Sequence, residues 1–129
     1  HYLEKASTLA QSHFECKTFN KPKIPLIDGR GNIWSPWSTD TRALFSYTLA
    51  HQIVQPYDFS CSIEVAVKEF CPDHIVLLGP GNSLGSPVAQ VLIDHNWNGL
   101  TSKSDFIKSQ EKDPFVISMG IEEQRNIVL

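Results

Sequence analysis

The stretch HIVLLGPGNSLGSPVAQVLI, residues 74–93, determines the fold that we expect. Within it, residues 75–78 (IVLL) form a short apolar run bounded by glycine and proline, which is typical of a strand buried on both faces of a parallel sheet. A glycine-rich turn follows, and Ser86-Pro87 favours a helix start because serine caps free amides and proline tolerates the first helical position. The stretch therefore predicts a strand, a turn and a helix, with the turn at the carboxyl end of the strand, where α/β proteins place their ligands.

The rest of the chain extends this pattern with further helices and short strands. In chain order, the patterns predict a helix over 2–14 with Leu3, Ala6, Ala10 and Phe14 on one face, a strand over 24–27 closed by Asp28-Gly29, a loop over 30–38, a helix over 41–54, a helix over about 60–70, a polar stretch over 101–113, a short strand over 115–118 and a terminal helix over 121–129. We expect Trp34 and Trp37 to pack the loop onto the body of the protein. Helices that alternate with strands in this way indicate an α/β fold.

The composition is that of an ordinary globular protein and argues against several functional classes. Of 129 residues, 41% are hydrophobic and 19% are charged, and the net charge is −3, so the basic surface of a nucleic-acid-binding protein is not expected. No apolar run approaches the ~20 residues that span a bilayer. Cys16, Cys61 and Cys71 show no paired spacing, which predicts buried, reduced thiols in a cytoplasmic protein and no metal site.

The helix predicted over 41–54 contains a polar residue where its pattern calls for an apolar one. At ~100° per residue, Leu44, Leu49 and Ile53 define an apolar face, and Gln52 falls near the middle of it. A buried carboxamide without hydrogen-bond partners is destabilising by about 1–3 kcal/mol. Gln52 is therefore expected either to satisfy neighbouring backbone groups or to belong to a functional site.

The glycine turn allows three interpretations. The spacing of Gly79, Gly81 and Gly85 approaches a dinucleotide-binding fingerprint, but too little chain follows it for a complete βαβαβ unit. The sequence GNSLG fits G-x-S-x-G with Ser83 as a nucleophile, although the only later histidine, His95, lies at the far end of the helix that follows. In the third interpretation the glycines are architectural and shape the wall of a site formed elsewhere.

Three stretches together resemble the C-terminal part of malonyl-CoA:acyl carrier protein transacylases and related acyltransferase domains. They are PKIPLIDG (22–29), AHQIVQPYDFSCSIE (50–64) and IVLLGPGNSLG (75–85), and they occur in the order that the family has them. The resemblance covers about residues 1–93. It implies that residues 1–129 are the C-terminal part of one acyltransferase-like α/β domain, which has a hydrolase-like core and an inserted ferredoxin-like subdomain that residues 1–29 would border. The chain would then be a fragment.

The resemblance also implies an activity, substrates and a partner. Such enzymes move a malonyl or related acyl group from coenzyme A to the phosphopantetheine thiol of an acyl carrier protein in fatty acid or polyketide biosynthesis, through an ester on a serine that would lie on a part of the protein not present here. Acyl-CoA and phosphopantetheine are substrates, and no bound cofactor, metal, nucleic acid or membrane is expected. The alternatives are a non-catalytic α/β interaction module and a small serine hydrolase that uses Ser83.

The resemblance assigns roles to five residues. Gln52 matches a glutamine that supports the catalytic histidine, and Gly79, Pro80 and Gly81 match a G-P-G turn that shapes the substrate site. Alignment of the first helix puts the catalytic histidine about two positions before His1, and a shift of two residues would make it His1 itself.

Overall fold

The computed structural model describes residues 2–79, 81 and 83–128. The chain divides into two compact units, residues 1–62 and 63–129, and the division lies within the fourth helix. Helices predominate over strands in both units, which confirms the mixed helix and strand class.

The first unit is mainly helical and contains one β-hairpin. Its elements are α1 (Tyr2–His13), a 3-10 turn (Cys16–Thr18), β1 (Leu26–Ile27), β2 (Ile33–Trp34), α2 (Thr41–Ser46), a π-helical turn (Tyr47–His51), α3 (Gln52–Val54) and the start of α4 (Phe59–Phe70). Strands β1 and β2 are antiparallel, with Leu26 opposite Trp34. Strand β2 lies in the segment predicted to be a loop, so that prediction is wrong for Ile33 and Trp34.

The first helix is where the periodicity puts it, but most of the apolar residues on its predicted face are exposed. Leu3 and Phe14 are 53% and 52% exposed, whereas Ser7 is 5% exposed and its hydroxyl donates to the Leu49 carbonyl oxygen at 2.7 Å. Ser7 lies about 40° from Leu3 and about 20° from Phe14 at ~100° per residue, so it belongs to the predicted face, and the buried residue of α1 makes a polar contact to the π-helical turn.

The prediction that Gln52 points inward is also wrong, since Gln52 is exposed. Helix α2, the π-helical turn and α3 follow one another without a break, and the Gln52 amide donates to the Tyr47 carbonyl oxygen, five residues back. A π-helical turn contains more residues than an α-helical one, so it rotates everything after it away from the 100° projection. Tyr47, off the predicted face, is 7% exposed and occupies the interior with Leu44.

The second unit contains the predicted strand, turn and helix. Its elements are the rest of α4, β3 (Ile75–Leu77), α5 (Gly85–Asp94), a 3-10 turn (Trp97–Gly99), α6 (Lys103–Lys112), β4 (Val116–Ser118) and α7 (Glu122–Arg125). Strands β3 and β4 pair in parallel, with Val76 opposite Ile117, and α5 and α6 lie between them in the chain. A parallel strand pair joined through helices is the connection that the α/β pattern predicts.

The core of the second unit is built on the apolar face of α5. Val88 and Leu92 are fully buried, together with Ile117 of β4 and Val67 of α4. The strand itself is not buried on both faces as predicted: Val76 is 39% exposed, because its outward face has no covering layer among the described residues.

The last third of the chain is more helical than predicted in one place and less in another. Helix α6 occupies the polar stretch and begins at a cap in which the Ser102 hydroxyl oxygen accepts from the Asp105 amide at 3.1 Å and donates to the Asp105 carboxylate at 2.7 Å. The terminal helix is confined to α7.

The three cysteines are free thiols, as expected, but none is buried: Cys16 and Cys61 are half-buried and Cys71 is exposed. Among residues 2–79, 81 and 83–128, no helix combines the length and the apolar character needed to cross a membrane. Within the same residues, no group of three or more His, Cys, Asp or Glu side chains is arranged to hold a metal ion.

Candidate functional site

The glycine turn after β3 is held by the end of β4. Gly79 and Gly81 have φ values of +103° and +71°, which residues other than glycine rarely adopt. Gly120 approaches Gly81 so closely that a Cβ added to Gly120 would lie 2.7 Å from the Gly81 carbonyl carbon and oxygen. The Ser118 hydroxyl also donates to the Gly81 carbonyl oxygen at 3.3 Å. The two predicted glycines therefore form a fixed turn, whereas Pro80 lies outside the described residues.

Ser83 and His95 are at opposite ends of α5. Ser83 is exposed and precedes the helix by two residues, whereas His95 follows its last residue, so the ten-residue helix separates them by about 15 Å at 1.5 Å per residue. His95 Nε2 lies 3.4 Å from a carboxylate oxygen of Glu64 on α4. The described residues thus give Ser83 no general base from His95, which favours the architectural interpretation of the turn.

In the first unit, Asp28 organises the turn of the β-hairpin. Its side chain is 2% exposed and accepts five hydrogen bonds. The backbone amides of Arg30 and Asn32 donate to Oδ1 at 2.9 Å and 3.0 Å, and the Trp34 indole donates to Oδ2 at 3.1 Å. The Arg30 guanidinium donates to Oδ2 through Nε at 3.2 Å and Nη2 at 2.6 Å.

These contacts set the charge state of the pair. Burial opposes ionisation of Asp28, but the hydrogen bonds from the Arg30 side chain and from the amides of Arg30 and Asn32 outweigh it, so the pKa of Asp28 is lowered. The hydrogen bond to Asp28 raises the pKa of Arg30 in turn. A buried carboxylate and a partly exposed guanidinium therefore remain ionised together.

Tyr47 joins this turn to the helix behind it. Its hydroxyl oxygen accepts from the buried Gly29 amide at 3.1 Å, and its ring centre lies 5.8 Å from that of Trp34. The Arg30 guanidinium carbon is 4.4 Å from the centre of the Tyr47 ring, a cation–π contact. The His51 ring stacks on Tyr47 with the ring centres 5.5 Å apart.

Two clefts open beside this cluster. The larger, of about 490 Å³, has Arg30, Tyr47, His51 and Gln55 among its lining residues. The smaller, of about 170 Å³, is lined by Asp28, Tyr57 and Gln52 among others. Gln52 therefore stands at the rim of a cleft and not inside the core.

The two tryptophans of the hairpin behave differently. Trp34 is 9% exposed and packs as predicted, whereas Trp37 is 76% exposed, so the prediction for Trp37 is wrong. Trp34 is held by its indole hydrogen bond to Asp28, and the indole of Trp37 has no hydrogen bond to the described residues.

No protein-family model, no curated protein and no solved structure matches the chain. The predicted site residues can therefore be compared only with the structure of this chain, and their roles stay predictions. The structure describes Gln52, Gly79 and Gly81, whereas His1 and Pro80 lie outside the described residues.

Sequence reasoning missed the cluster of Asp28, Arg30, Tyr47 and His51. The signal for its first half is the run DGRGNIW (28–34), in which an aspartate precedes free turn amides that its side chain can accept. The recruitment of His51 depends on the π-helical turn, and the residue pattern carries no signal for that turn.

Proposed function

We propose that the chain is part of an acyltransferase that carries a malonyl or related acyl group from coenzyme A to the phosphopantetheine thiol of an acyl carrier protein. The observation that carries this proposal is the ordered set of three similar stretches, 22–29, 50–64 and 75–85. The first includes β1, the second includes α3, and the third includes β3 and its glycine turn. Each stretch thus contains a strand or a helix of the kind that the resemblance implies, and this supports the proposal.

The proposed reaction transfers the acyl group twice, first from coenzyme A to a serine and then from that serine to the carrier protein. A serine hydroxyl, on a part of the protein not present here, gives its proton to a histidine and attacks the thioester carbonyl, and the carbon–sulfur bond breaks as the histidine passes that proton to the leaving coenzyme A thiolate. The phosphopantetheine thiol then gives its proton to the histidine and attacks the ester carbonyl, and the carbon–oxygen bond of the ester breaks as the serine oxygen takes that proton. Acyl-CoA and the carrier protein are the only partners required, and the free cysteines support a cytoplasmic location.

In this proposal Gln52 positions the catalytic histidine. The carboxamide of Gln52 is exposed at the rim of a cleft, and it makes no hydrogen bond to the described residues, so it is available to an imidazole from another segment. A group that only orients a base contributes less than the base itself. Gly79 and Gly81 shape the wall of the site through their fixed backbone.

The test uses the intact gene product that includes this chain, with radiolabelled malonyl-CoA and a carrier protein bearing phosphopantetheine. Label is expected first in a base-labile ester on the enzyme and then on the carrier protein. Gln52→Ala should lower turnover by ~10–100-fold, equivalent to about 1.4–2.7 kcal/mol. Gln52→Leu should have a similar effect with little change in melting temperature, because the side chain is exposed. Gln90→Ala, which alters an exposed glutamine on α5, is the matched control and should retain parental turnover.

Each alternative function has a distinct outcome. A parental rate for Gln52→Leu would remove Gln52 from the site. Ser83→Ala should leave transfer within a few-fold of the parent, whereas labelling of Ser83 by a fluorophosphonate would favour the hydrolase. Absence of both acyl transfer and labelling would favour a non-catalytic interaction module.

A further inference from the structure

The larger cleft of the first unit has no role in the proposed acyl transfer. It lies between the hairpin turn and the helical segment from Ala43 to Gln55, and its volume of about 490 Å³ is within the range of small-molecule sites. Arg30 and His51 both line it, and both contact the ring of Tyr47. The Arg30 guanidinium carbon lies 4.4 Å and the His51 ring centre 5.5 Å from the centre of the Tyr47 ring, and both basic side chains border the same cleft.

Arg30 is fixed in position before any ligand arrives. Asp28 accepts from its Nε and Nη2 at 3.2 Å and 2.6 Å, and its guanidinium carbon lies 4.4 Å from the centre of the Tyr47 ring. Nη1 donates to none of the described residues, and the side chain is 45% exposed. A guanidinium that is held on one edge and open on the other can bind a carboxylate or a phosphate without losing further side-chain freedom.

The negative charge of Asp28 does not prevent Arg30 from binding an anion. Three of the five hydrogen bonds to Asp28 come from neutral N–H groups, those of Arg30, Asn32 and Trp34, so the guanidinium is not its only stabilising partner. The carboxylate is 2% exposed and is enclosed by its donors, whereas the guanidinium is open to the cleft. An anion in the cleft is therefore exposed to the Arg30 guanidinium more than to the Asp28 carboxylate.

His51 provides a second polar contact. Its ring stacks on Tyr47, and its two nitrogens have no hydrogen-bond partner among the described residues. An imidazole nitrogen can donate to an oxyanion in either the neutral or the protonated state. The chain as a whole is acidic, with a net charge of −3, so attraction of an anion would have to be local to this cleft.

We propose that the cleft lined by Arg30, Tyr47 and His51 binds the carboxylate or phosphate group of a small molecule. The open edge of Arg30 holds the oxyanion, His51 donates a second hydrogen bond, and the Tyr47 and Trp34 rings contact the rest of the ligand. The inference does not depend on acyl transfer.

The test is a titration of the full chain with inorganic phosphate, and separately with malonate, followed by amide and side-chain NMR shifts. Saturable shifts are expected at the hairpin turn and at residues 46–51 for at least one of the two anions, and the preferred anion identifies the source chemistry. Arg30→Gln should weaken binding by at least about tenfold, as expected for loss of a charge-assisted hydrogen bond. Arg42→Gln, which removes an exposed arginine of α2 that does not line the cleft, is the matched control.

A second variant leaves the Asp28–Arg30 pair intact. Ser46 is exposed and lines the cleft, so Ser46→Trp should fill the space and weaken binding without disturbing the turn. If Arg30→Gln does not fold, Ser46→Trp alone decides the result. Shifts that fail to saturate, that are weakened equally by Arg42→Gln, or that survive Ser46→Trp would overturn the proposal, as would the absence of shifts up to tens of millimolar anion.

Discussion

Asp28→Asn removes the charge at the centre of the hairpin turn and almost nothing else. The two side chains have nearly the same shape, and the site is 2% exposed, so the substitution opens no cavity. An asparagine side chain has one oxygen that accepts and one nitrogen that only donates. Because Oδ1 and Oδ2 of Asp28 accept two and three hydrogen bonds, one of these groups of donors must lose its partner.

The size of the change in unfolding free energy depends on which donors lose their acceptor. If the amide nitrogen replaces Oδ2, the indole of Trp34 and the guanidinium of Arg30 face a donor, and if it replaces Oδ1, the amides of Arg30 and Asn32 do. A buried donor without a partner is destabilising by about 1–3 kcal/mol. The loss of the ion pair adds less, since the Arg30 side chain is 45% exposed and water screens it. The free energy of unfolding should therefore fall by about 2–4 kcal/mol at pH 7.

The pH dependence of the free energy of unfolding separates the charge from the shape. The pKa of Asp28 is below 3.8, its ordinary value, so near pH 3.8 the unfolded chain binds more protons than the folded one. Stability from this group is therefore fully present well above pH 3.8 and is lost as the pH falls through the folded pKa. Asp28→Asn cannot titrate, so the difference in unfolding free energy between parent and variant should shrink as the solution is acidified.

Urea denaturation, followed by tryptophan fluorescence at several pH values, measures both effects, and the indole N–H resonance of Trp34 reports the hydrogen bond directly. Asp40→Asn is the matched control. Asp40 is exposed, and its side chain caps α2 by accepting from the Arg42 amide at 2.9 Å. Asparagine caps a helix equally well, so this variant should have nearly the parental stability. A change below about 0.5 kcal/mol for Asp28→Asn at pH 7 would contradict a stabilising role of the Asp28 carboxylate, since surface substitutions have effects of that size.

Two further substitutions test how the turns are held. Tyr47→Phe should lower the free energy of unfolding by about 1–3 kcal/mol in the same denaturation assay, because it leaves the buried turn amide that donates to its hydroxyl without a partner; an unchanged value would mean that this amide finds another acceptor. Gly120→Ala should be destabilising by about 1–3 kcal/mol, since its Cβ would lie 2.7 Å from the Gly81 backbone, whereas Gly85→Ala, whose Cβ would come no closer than 3.9 Å to its neighbours, should be neutral or stabilising. Equal melting temperatures for the two alanine variants would contradict the close approach of the two backbones.

The sequence pattern predicted the elements whose own residues determine them. Strand β3, the glycine turn and α5 were predictable because an apolar run, a pair of glycines and a one-sided apolar pattern each restrict the backbone locally. Helix α6 was missed although its cap was visible, since Ser102 and Asp105 have the spacing of a capping box. The exposure of Val76 was not predictable, because it depends on what covers the sheet.

The candidate site was predicted less well because it depends on hydrogen bonds between residues that are distant in the chain. A projection at 100° per residue assumes an unbroken α-helix, and the π-helical turn at 47–51 breaks that assumption between Leu44 and Gln52. Tyr47 takes the interior position because its hydroxyl satisfies an amide of the hairpin turn, 18 residues away. An apolar side chain there would leave that amide unpaired. The polar contact therefore overrides the apolar pattern, and the π-helical turn that follows places Gln52 at the rim of the smaller cleft and His51 against the ring of Tyr47. π-helical turns recur at functional sites in proteins, and here the turn is the feature that brings the two basic side chains of the cleft to one aromatic ring.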